Sequence, residues 1–463
     1  MNQGKLTTVD VSNRTYVVNY LQIAWPIVLE LMLVSLIQSI DTMMVGRLGT
    51  TAISAVSLPG QPRLIILMPV MAMNVGIMAL VGRCKGAQDR EAANRCLRTG
   101  VVISFWMTTA LAAVAMAFAR ELMLFCGATE ETLVDAVAYL RITSVGVVFH
   151  AVSLTVSAGQ RGVGNTKLSL AMNVSANLVN IVLNYCLIEG HLGFPGLGVR
   201  GAAIATSICN VTAFGIALFS VSRSGGYLFL GRRGGYARLE ERKLLWNLST
   251  GSIMERIGIR VGLLLFAKIV AGLGTTPFAI YNICARLYYL SFCIGDGFGT
   301  AACTLVAQNL GAKKREDAVL YGRIALTISA GAGICFFIGA IVLRYWMASL
   351  YSADQAVIQA CGSGIIIMAC IGFLQIPQVL MAGTLRGGGD THYLGRVVLF
   401  CTMIVRPGVA YLLILLGFGL NGAFLGILAE IALRFIFSLI RFLQMKWIYS
   451  FDCMTGGEAE SCG

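Results

Sequence analysis

The chain has 463 residues, of which 57% are hydrophobic and only 12% are charged, and its mean hydropathy is +0.78. Soluble domains carry roughly 25% charged residues, so this composition excludes a soluble globular protein. The net charge of +13 would suit a nucleic-acid-binding protein, but the basic runs are short and lack interleaved aromatic residues. We therefore expect an integral membrane protein that contacts the lipid bilayer and no nucleic acid.

Twelve apolar windows follow one another along the chain, and each is long enough for the ~20 residues of helix that cross a bilayer. The segment before the first window is polar and has no cleavable-signal pattern, so this window is expected to remain as a helix. The chain is predicted to be an all-α polytopic membrane protein with twelve transmembrane helices. The windows lie at about 17–45, 52–82, 96–119, 132–157, 168–188, 202–221, 244–271, 277–307, 324–343, 355–382, 394–416 and 422–440.

Basic residues concentrate in alternate loops between these windows. By the positive-inside rule, the basic loops face the cytoplasm. This predicts a plasma (inner) membrane protein whose two termini and central loop are cytoplasmic, and an even helix number requires the termini to agree. The basic residues of the termini and central loop are Lys5, Arg14, Arg232, Arg233, Arg238, Arg242, Lys243, Arg441 and Lys446.

The chain nearly repeats itself at an offset of 225 residues. Residues 46–51 (GRLGTT) return as 271–276 (AGLGTT), and residues 161–166 (RGVGNT) return as 386–391 (RGGGDT). One ungapped offset that links separated segments indicates that the two halves of the protein are homologous.

This repetition predicts two six-helix lobes, 1–222 and 244–463, joined by the polar, Gly-rich linker 223–243. With six helices in the first lobe, both lobes begin on the cytoplasmic side. We expect a pseudo-two-fold axis along the membrane normal, with a central cleft where the lobes meet. That architecture is typical of transporters that work by alternating access.

Asp41 is the clearest ionisable residue within a predicted span. No basic residue lies three or four positions away from it, and Gln38 lies one turn earlier on the same face. Burial without an ion pair favours the protonated carboxyl, so Asp41 is a candidate for exchanging a proton or holding a cation. The alternative is a carboxylate near a helix end that is capped by backbone and water.

A row of asparagines on the fifth window offers partners for this carboxylate. Asn173, Asn177, Asn180 and Asn184 follow at intervals of 4, 3 and 4 residues and form one polar stripe on an apolar helix. Amide oxygens are ligands for hard cations, and amides also hydrogen-bond a protonated acid. The alternative is that the stripe supplies hydrogen bonds between helices.

The second lobe carries more charges within its spans. Glu30 and Glu255 occupy equivalent positions in the two halves. These residues form either a salt-bridge network or a substrate cleft or second coupling site, and both interpretations stay open. Glu430 and Arg434, four residues apart on one face, are predicted to be a self-neutralising structural pair. The further charged candidates for the second lobe are Arg256, Arg260, Arg286 and Asp296.

Cysteine and histidine usage argues against an enzyme. The fourteen cysteines form no C-x-x-C pair and have no histidine at metal spacing. The three histidines, His150, His191 and His392, lie on separate segments. We therefore expect no cofactor, no disulfide framework, no zinc site and no catalytic residues.

The chain resembles the multidrug and toxic compound extrusion (MATE) transporters of the multidrug/oligosaccharidyl-lipid/polysaccharide flippase superfamily. The resemblance covers essentially the whole chain and depends on the order and spacing of several motifs. Such proteins have twelve helices in two lobes and export organic cations or other amphipathic compounds against an inward flow of H⁺ or Na⁺. The motifs are 25–26 (WP), 41–46 (DTMMVG), 161–166 (RGVGNT), 201–206 (GAAIAT), 308–312 (QNLGA) and 386–391 (RGGGDT).

By motif, the resemblance implies that Asp41, Asn180, Asn184 and Thr206 form the ion-coupling site, which Gln38 joins by its spacing from Asp41. Some members carry an aspartate where this chain has Asn184. Because affinity for hard cations follows ligand charge, the change weakens a possible Na⁺ site at Asp41, Asn180 and Asn184 and favours H⁺.

The seventh-helix glutamate of one branch of the family falls on Glu255, but residues 364–383 contain no acid where that branch has a second one. This difference favours coupling in the first lobe. The expected function is secondary antiport that exports organic, cationic or amphipathic compounds, by a protein acting as a monomer. The alternatives are a flippase for lipid-linked oligosaccharide or polysaccharide and an exporter of an anionic metabolite.

Overall fold

A computed structural model describes residues 14–223, 225–231, 235–349 and 355–454. Of the basic residues used to predict orientation, Lys5, Arg232 and Arg233 lie outside the described residues. The described part of the chain is almost entirely helical and contains no strand. This agrees with its apolar composition, because a helix satisfies its backbone hydrogen bonds within one segment in lipid.

The first half of the chain forms eight helices. They are α1 (Arg14–Gly46), α2 (Thr50–Ser57), α3 (Gly60–Gly86), α4 (Arg90–Ala117), α5 (Ala119–Phe125), α6 (Glu130–Gly162), α7 (Thr166–Ile188) and α8 (Val199–Ser222). The second span, predicted as one helix, is divided into α2 and α3 at Pro59, which is the residue before α3. Proline lacks a backbone N–H, so it interrupts the helical ladder at that point.

The second half repeats this order with two additional π-helical turns, Cys401–Val405 and Ile414–Phe418. Its helices are α9 (Leu239–Ala271), α10 (Thr275–Gly311), α11 (Arg315–Val342), α12 (Arg344–Ser349), α13 (Gln355–Gly388), α14 (Thr391–Phe400), α15 (Arg406–Leu413), α16 (Gly419–Leu443) and α17 (Ser450–Met454).

The predicted number of spans is confirmed over the described residues. Ten helical stretches are long and apolar enough to cross a membrane. One of them, Thr391–Leu443, reverses at Gly417 and Gly419 and packs α15 against α16, so it contains two spans. The more polar helix α9, with 33 residues, supplies the twelfth.

The backbone itself shows the duplication. Three pairs of residues 225 positions apart adopt the same left-handed conformation, which glycine tolerates best. The pairs are Gly49 and Gly274 (φ 106° and 108°), Gln88 and Lys313 (59° and 60°), and Gly164 and Gly389 (89° and 92°). Equal turns at equal spacing indicate that the two halves share one fold.

The chain divides into two compact units, one formed by Leu29–Trp246 and the other by Met1–Val28 with Asn247–Gly463. In the first, α6 packs against α3, α4 and α8; in the second, α13 packs against α10, α11 and α16. The same close contact occurs within each unit. A Cβ on Gly162 would lie 2.7 Å from the Met78 carbonyl oxygen, and one on Gly387 would lie 2.6 Å from that of Cys303. Small residues of this kind allow membrane helices to approach closely.

The described parts of the linker follow the cytoplasmic end predicted for α4. Side chains at 90, 94 and 98, on one face of that helix, bond the linker backbone. Arg90 Nε donates to the Tyr227 carbonyl at 2.9 Å, and Asn94 Oδ1 accepts from the Phe229 N–H at 2.7 Å. Arg98 donates to the Gly235 carbonyl at 3.1 Å. The linker therefore packs as part of the unit Leu29–Trp246.

Candidate functional site

A cavity of about 230 Å³ lies inside the unit Leu29–Trp246. Since one water occupies roughly 30 Å³, it has room for about seven waters, and it is smaller than the ~300–1,000 Å³ of pockets for drug-sized ligands. The cavity therefore suits an ion with its water rather than a bulky substrate. Its polar lining is Gln38, Asp41, Thr42, Ser57, Arg63, Tyr139, His150, Asn173, Asn177, Asn180, Asn184, Thr206, Cys209 and Asn210.

The carboxylate of Asp41 is held by amides. Asn184 Nδ2 donates to Asp41 Oδ1 at 3.0 Å. When the NH₂ end of Asn180 faces Asp41, its nitrogen lies 2.9 and 3.0 Å from the two carboxylate oxygens, and its carbonyl oxygen accepts from the Thr206 N–H at 3.3 Å. Among the described residues, Asp41 makes no ion pair within 4 Å.

Asn180 suits both charge states of this carboxyl because the two ends of an amide have nearly the same shape but opposite hydrogen-bonding roles. The NH₂ end satisfies an ionised Asp41. The carbonyl end satisfies a protonated Asp41, and Asn184 Nδ2 then donates to Asn180 Oδ1 at 3.2 Å. Asn184 is 2% exposed, and its own Oδ1 has no hydrogen-bond partner in the described structure. The pair of amides can thus hydrogen-bond Asp41 in either charge state.

The structure brings together the residues that the sequence assigned to the first lobe. Asp41 and Gln38 on α1, Asn180 and Asn184 on α7, and Thr206 on α8 all line the one cavity. The rest of the asparagine stripe lines it as well, so the 4-3-4 spacing does place these amides on one inward face. Gln38 lies at its edge and is largely exposed.

Sequence reasoning did not assign the basic residues Arg63 and His150 to this cavity. Arg63 of α3 and His150 of α6 both line it. Arg63 places a positive charge in the same space as Asp41, although it lies 22 positions away in sequence. The sequence nevertheless indicates Arg63, because an arginine within an apolar span is a functional candidate by default.

Glu30 and Glu255 each form an ion pair inside their own half. Arg161 donates to Glu30 Oε1 at 2.5 Å, and the equivalent Arg386 donates to Glu255 Oε1. Both arginines begin the repeated 161–166 and 386–391 turns, and each glutamate and its arginine are 131 residues apart. The two pairs therefore share one structural origin.

Among the other charged candidates of the second half, Arg256, Arg260 and Asp296 lie near Glu255, and no contact of Arg286 with it is seen among the described residues. Arg256 and Asp296 are partly buried, whereas Arg260 and Arg286 are exposed. The ion pair of Glu255 itself is with Arg386 of α13. Whether this region binds substrate stays a prediction.

The predicted pair of Glu430 and Arg434 is present, with Arg434 donating at 3.0 Å. The structure adds two partners that the sequence did not indicate. Arg406 Nε lies 3.4 Å from Glu430 Oε2, and Thr402 donates to Oε1 at 2.8 Å. Glu430 is completely buried and Arg406 is 2% exposed. The buried cluster therefore places two arginines, Arg406 and Arg434, beside one glutamate, Glu430.

Twelve spans, an internal duplication and a polar, ion-sized cavity in one half define a polytopic membrane protein of the kind that carries solutes. The sequence model of the MatE family matches the chain twice, at residues 26–186 and 252–412, once in each half. The chain belongs to the MatE family. This confirms the resemblance and the homology of the two halves.

Similar proteins extend over nearly the whole chain. A probable multidrug resistance protein NorM of Thermotoga maritima is 25% identical over 433 residues, 92% of each chain. The multidrug resistance protein PmpM of Pseudomonas aeruginosa is 25% identical over 402 residues, 84% of this chain and 81% of its own. These relatives are named as resistance proteins and not as enzymes, in agreement with the sequence expectation.

Solved structures give the same fold. A MATE protein in the straight conformation matches with a TM-score of 0.85 at 20% identity, over 93% of this chain and 97% of its own. An outward-facing multidrug resistance MATE family transporter of the MOP superfamily matches with a TM-score of 0.84 at 19% identity, over 94% and 96%. The predicted fold class of an all-α, twelve-helix, two-lobe membrane protein is confirmed.

Proposed function

We propose that this protein exports organic compounds, cationic or amphipathic, by antiport that an inward flow of protons drives. The names of its relatives NorM and PmpM support export of multiple drugs. The observation that carries the coupling is Asp41, which lies in an ion-sized cavity between two amides and without an ion pair among the described residues.

Arg63 favours H⁺ as the coupling ion. With Asp41 ionised, the arginine brings the summed charge of the two side chains in the cavity to zero. A hard metal cation then lacks the net negative charge that usually holds it. A proton needs no such field, because it binds covalently to the carboxylate.

Na⁺ remains a second candidate for one specific reason. The unpartnered Asn184 Oδ1 is a buried acceptor beside Asp41, and an amide oxygen is a ligand that hard cations accept. A water in the cavity satisfies the same oxygen. Transport assays with separate H⁺ and Na⁺ gradients therefore distinguish the two ions.

In the proposed cycle, a proton from outside neutralises Asp41 and turns its hydrogen bonds with Asn180 from acceptor to donor. This changes the contact between α1 and α7 and releases substrate outward, and loss of the proton to the cytoplasm resets the site. One charge crossing 100 mV supplies ~2.3 kcal/mol and one pH unit adds ~1.4. At one proton per substrate, they support a concentration gradient of about 500-fold for an uncharged compound and about tenfold for a monovalent cation, whose export the potential opposes.

The first prediction concerns Asp41→Asn in protein reconstituted into liposomes. The variant keeps the amide hydrogen bonds but has no titratable carboxyl, so we expect gradient-driven ethidium transport to be abolished while ethidium binding and folding are retained. Transport is measured with a pH gradient in Na⁺-free buffer, and then with a Na⁺ gradient at constant pH. Glu91→Gln, which removes an exposed carboxylate from α4, is the matched control and should transport normally.

Undiminished coupled transport by Asp41→Asn would contradict the assignment of the site. Transport driven by Na⁺ at constant pH, and not by a pH gradient, would favour the second candidate ion. Movement of an anionic dye such as fluorescein in place of ethidium would favour the anion exporter instead.

A further inference from the structure

A continuous polar lining leads from Asp41 to Glu30. The cavity follows α7 from Asn184 to Asn173, which is about 16 Å at 1.5 Å per residue. At its far end, Asn173 Nδ2 donates to Glu30 Oε1 at 2.5 Å. Resting on the proposed function, we propose that Glu30, reached through Asn173, is the inner station from which the coupling proton leaves the first lobe.

The hydrogen bonds of Glu30 are unusual for a structural ion pair. Arg161, Asn173 and Ser169 all donate to the same oxygen, Oε1. Arginine–carboxylate pairs frequently bond through both oxygens. Here Oε2 is buried and has no hydrogen-bond partner in the described structure. This oxygen is the acceptor on which a proton arrives.

The second half supplies an internal comparison. It keeps the ion pair, as Glu255 and Arg386, but at the 225 offset Asn173 is replaced by Val398 and Ser169 by Leu394. The ion pair is therefore explained by the shared fold, because both halves have it. The side chains that connect the ion pair to a polar cavity in the first half are not, because valine and leucine stand at the equivalent positions of the second half.

The position of Glu30 among the helices is consistent with an exit for the proton to the cytoplasm. Its partner Arg161 lies at the end of α6, beside the 161–166 turn that the basic residues assign to the cytoplasm. The Arg161 side chain is 20% exposed, whereas that of Glu30 is 3% exposed. Arg161 thus separates the glutamate from solvent on that side.

The transfer is balanced in protons and needs no other reactant. The O–H bond of protonated Asp41 breaks, the proton crosses the waters of the cavity, and an O–H bond forms at Glu30 Oε2. Its release to the cytoplasm restores both carboxylates. The charged or titratable groups that face this route are Asp41, Arg63, Tyr139, His150, Cys209 and, at its end, Arg161.

The test uses the full protein in liposomes and compares Asn173→Val with Asn173→Ser. Valine has nearly the volume of asparagine and is the residue at the equivalent position of the second half, but it removes the polar link between the cavity and Glu30. Serine is smaller than asparagine but keeps a polar group at this position. We expect Asn173→Val to slow pH-driven ethidium transport at least about tenfold. Exchange of radiolabelled for unlabelled ethidium, which moves no net proton, should change less than about twofold. Asn173→Ser should stay near the wild-type rate in both assays.

Glu30→Gln provides an independent variant, and its folding is checked first by size-exclusion chromatography because it leaves Arg161 without its charge partner. It should show the same loss of pH-driven transport with exchange retained. A wild-type rate of pH-driven transport in Asn173→Val, or a parallel loss of exchange, would overturn the proposal. A wild-type protein without any pH dependence would overturn the proposed function as well, so the two failures are distinguishable.

Discussion

At the scale of single residues, the site is a carboxylate whose charge is balanced at a distance. Asp41 takes its hydrogen bonds from Asn180 and Asn184, and its nearest compensating charge in the cavity is Arg63 on another helix. A direct ion pair would favour the ionised carboxylate and lower its affinity for a proton. Separation of the two charges keeps the cavity neutral overall and leaves Asp41 able to accept a proton.

This balance predicts a change of ion preference in Arg63→Gln. Without the arginine, an ionised Asp41 gives the cavity a net negative charge, and affinity for a hard cation rises with that charge. We expect Na⁺ to stabilise this variant by about 1.4 kcal/mol at ten times the dissociation constant. The measurement is thermal unfolding in detergent with NaCl against choline chloride. Arg63→Lys keeps the charge and should respond like wild type; an equal Na⁺ response from both variants would contradict the balance.

The sequence alone identified the residues of the site whose relation is local. Gln38 and Asp41 are one turn apart, and the helical period places Asn173 to Asn184 on one face. Arg63 and His150 were missed because no short spacing in the sequence relates these residues of α3 and α6 to Asp41, although they line the same cavity. Likewise, Arg161 was visible as part of a repeated turn, but its partner Glu30 lies 131 residues away.

At the scale of helices, the second half fills the position of the Asp41 cavity with its own charges. The π-helical turn Cys401–Val405 adds one residue, so beyond it Asn180 corresponds to Arg406. Asp41 corresponds to Phe266, and the Arg406 guanidinium lies 5.0 Å from the centre of that ring. An arginine of the second half thus lies beside the position that corresponds to Asp41.

The next helix of the second half, α16, also places charged residues at positions equivalent to the cavity. Gly198 and Gly419 precede the equivalent runs of α8 and α16 with φ of 55° and 52°. On that alignment, the cavity residues Cys209 and Ala213 correspond to Glu430 and Arg434. Hydropathy predicted both spans but could not show the π-helical turn, because an inserted residue changes the register of a helix and not its polarity.

This cluster predicts a large loss of stability in Glu430→Gln. Removing the carboxylate that pairs with both Arg406 and Arg434 leaves these buried arginines without their ion-pair partner, which costs about 3–5 kcal/mol in comparable buried pairs. Thermal unfolding in detergent should show a clearly lower midpoint than wild type. Glu91→Gln breaks a pair at 3.8 Å whose carboxylate is 92% exposed, and it should change the midpoint little. An equal midpoint for the two variants would contradict a structural role for the cluster.

At the scale of the whole molecule, the two halves share one fold but contain different polar sites. Both units keep the turns, the glycine contacts and the glutamate–arginine pair that the fold requires. The polar cavity around Asp41 lies in Leu29–Trp246, and the linker packs on that unit through Arg90, Asn94 and Arg98. The shared fold of the two halves was predictable from the sequence repeat. The difference between their polar sites depends on the few positions where the repeated residues differ.

The direction of proton flow in this scheme depends on the orientation of the whole protein. The basic residues predict that the linker is cytoplasmic and that the loop between α7 and α8 lies outside. Alkaline phosphatase, which is active only outside the inner membrane, should be active when fused after Gly193 and inactive when fused after Arg238, and green fluorescent protein should give the opposite pattern. Reversed activities would place the Glu30 end of the cavity outside, and the same residues would then form the entry of the proton path instead of its exit.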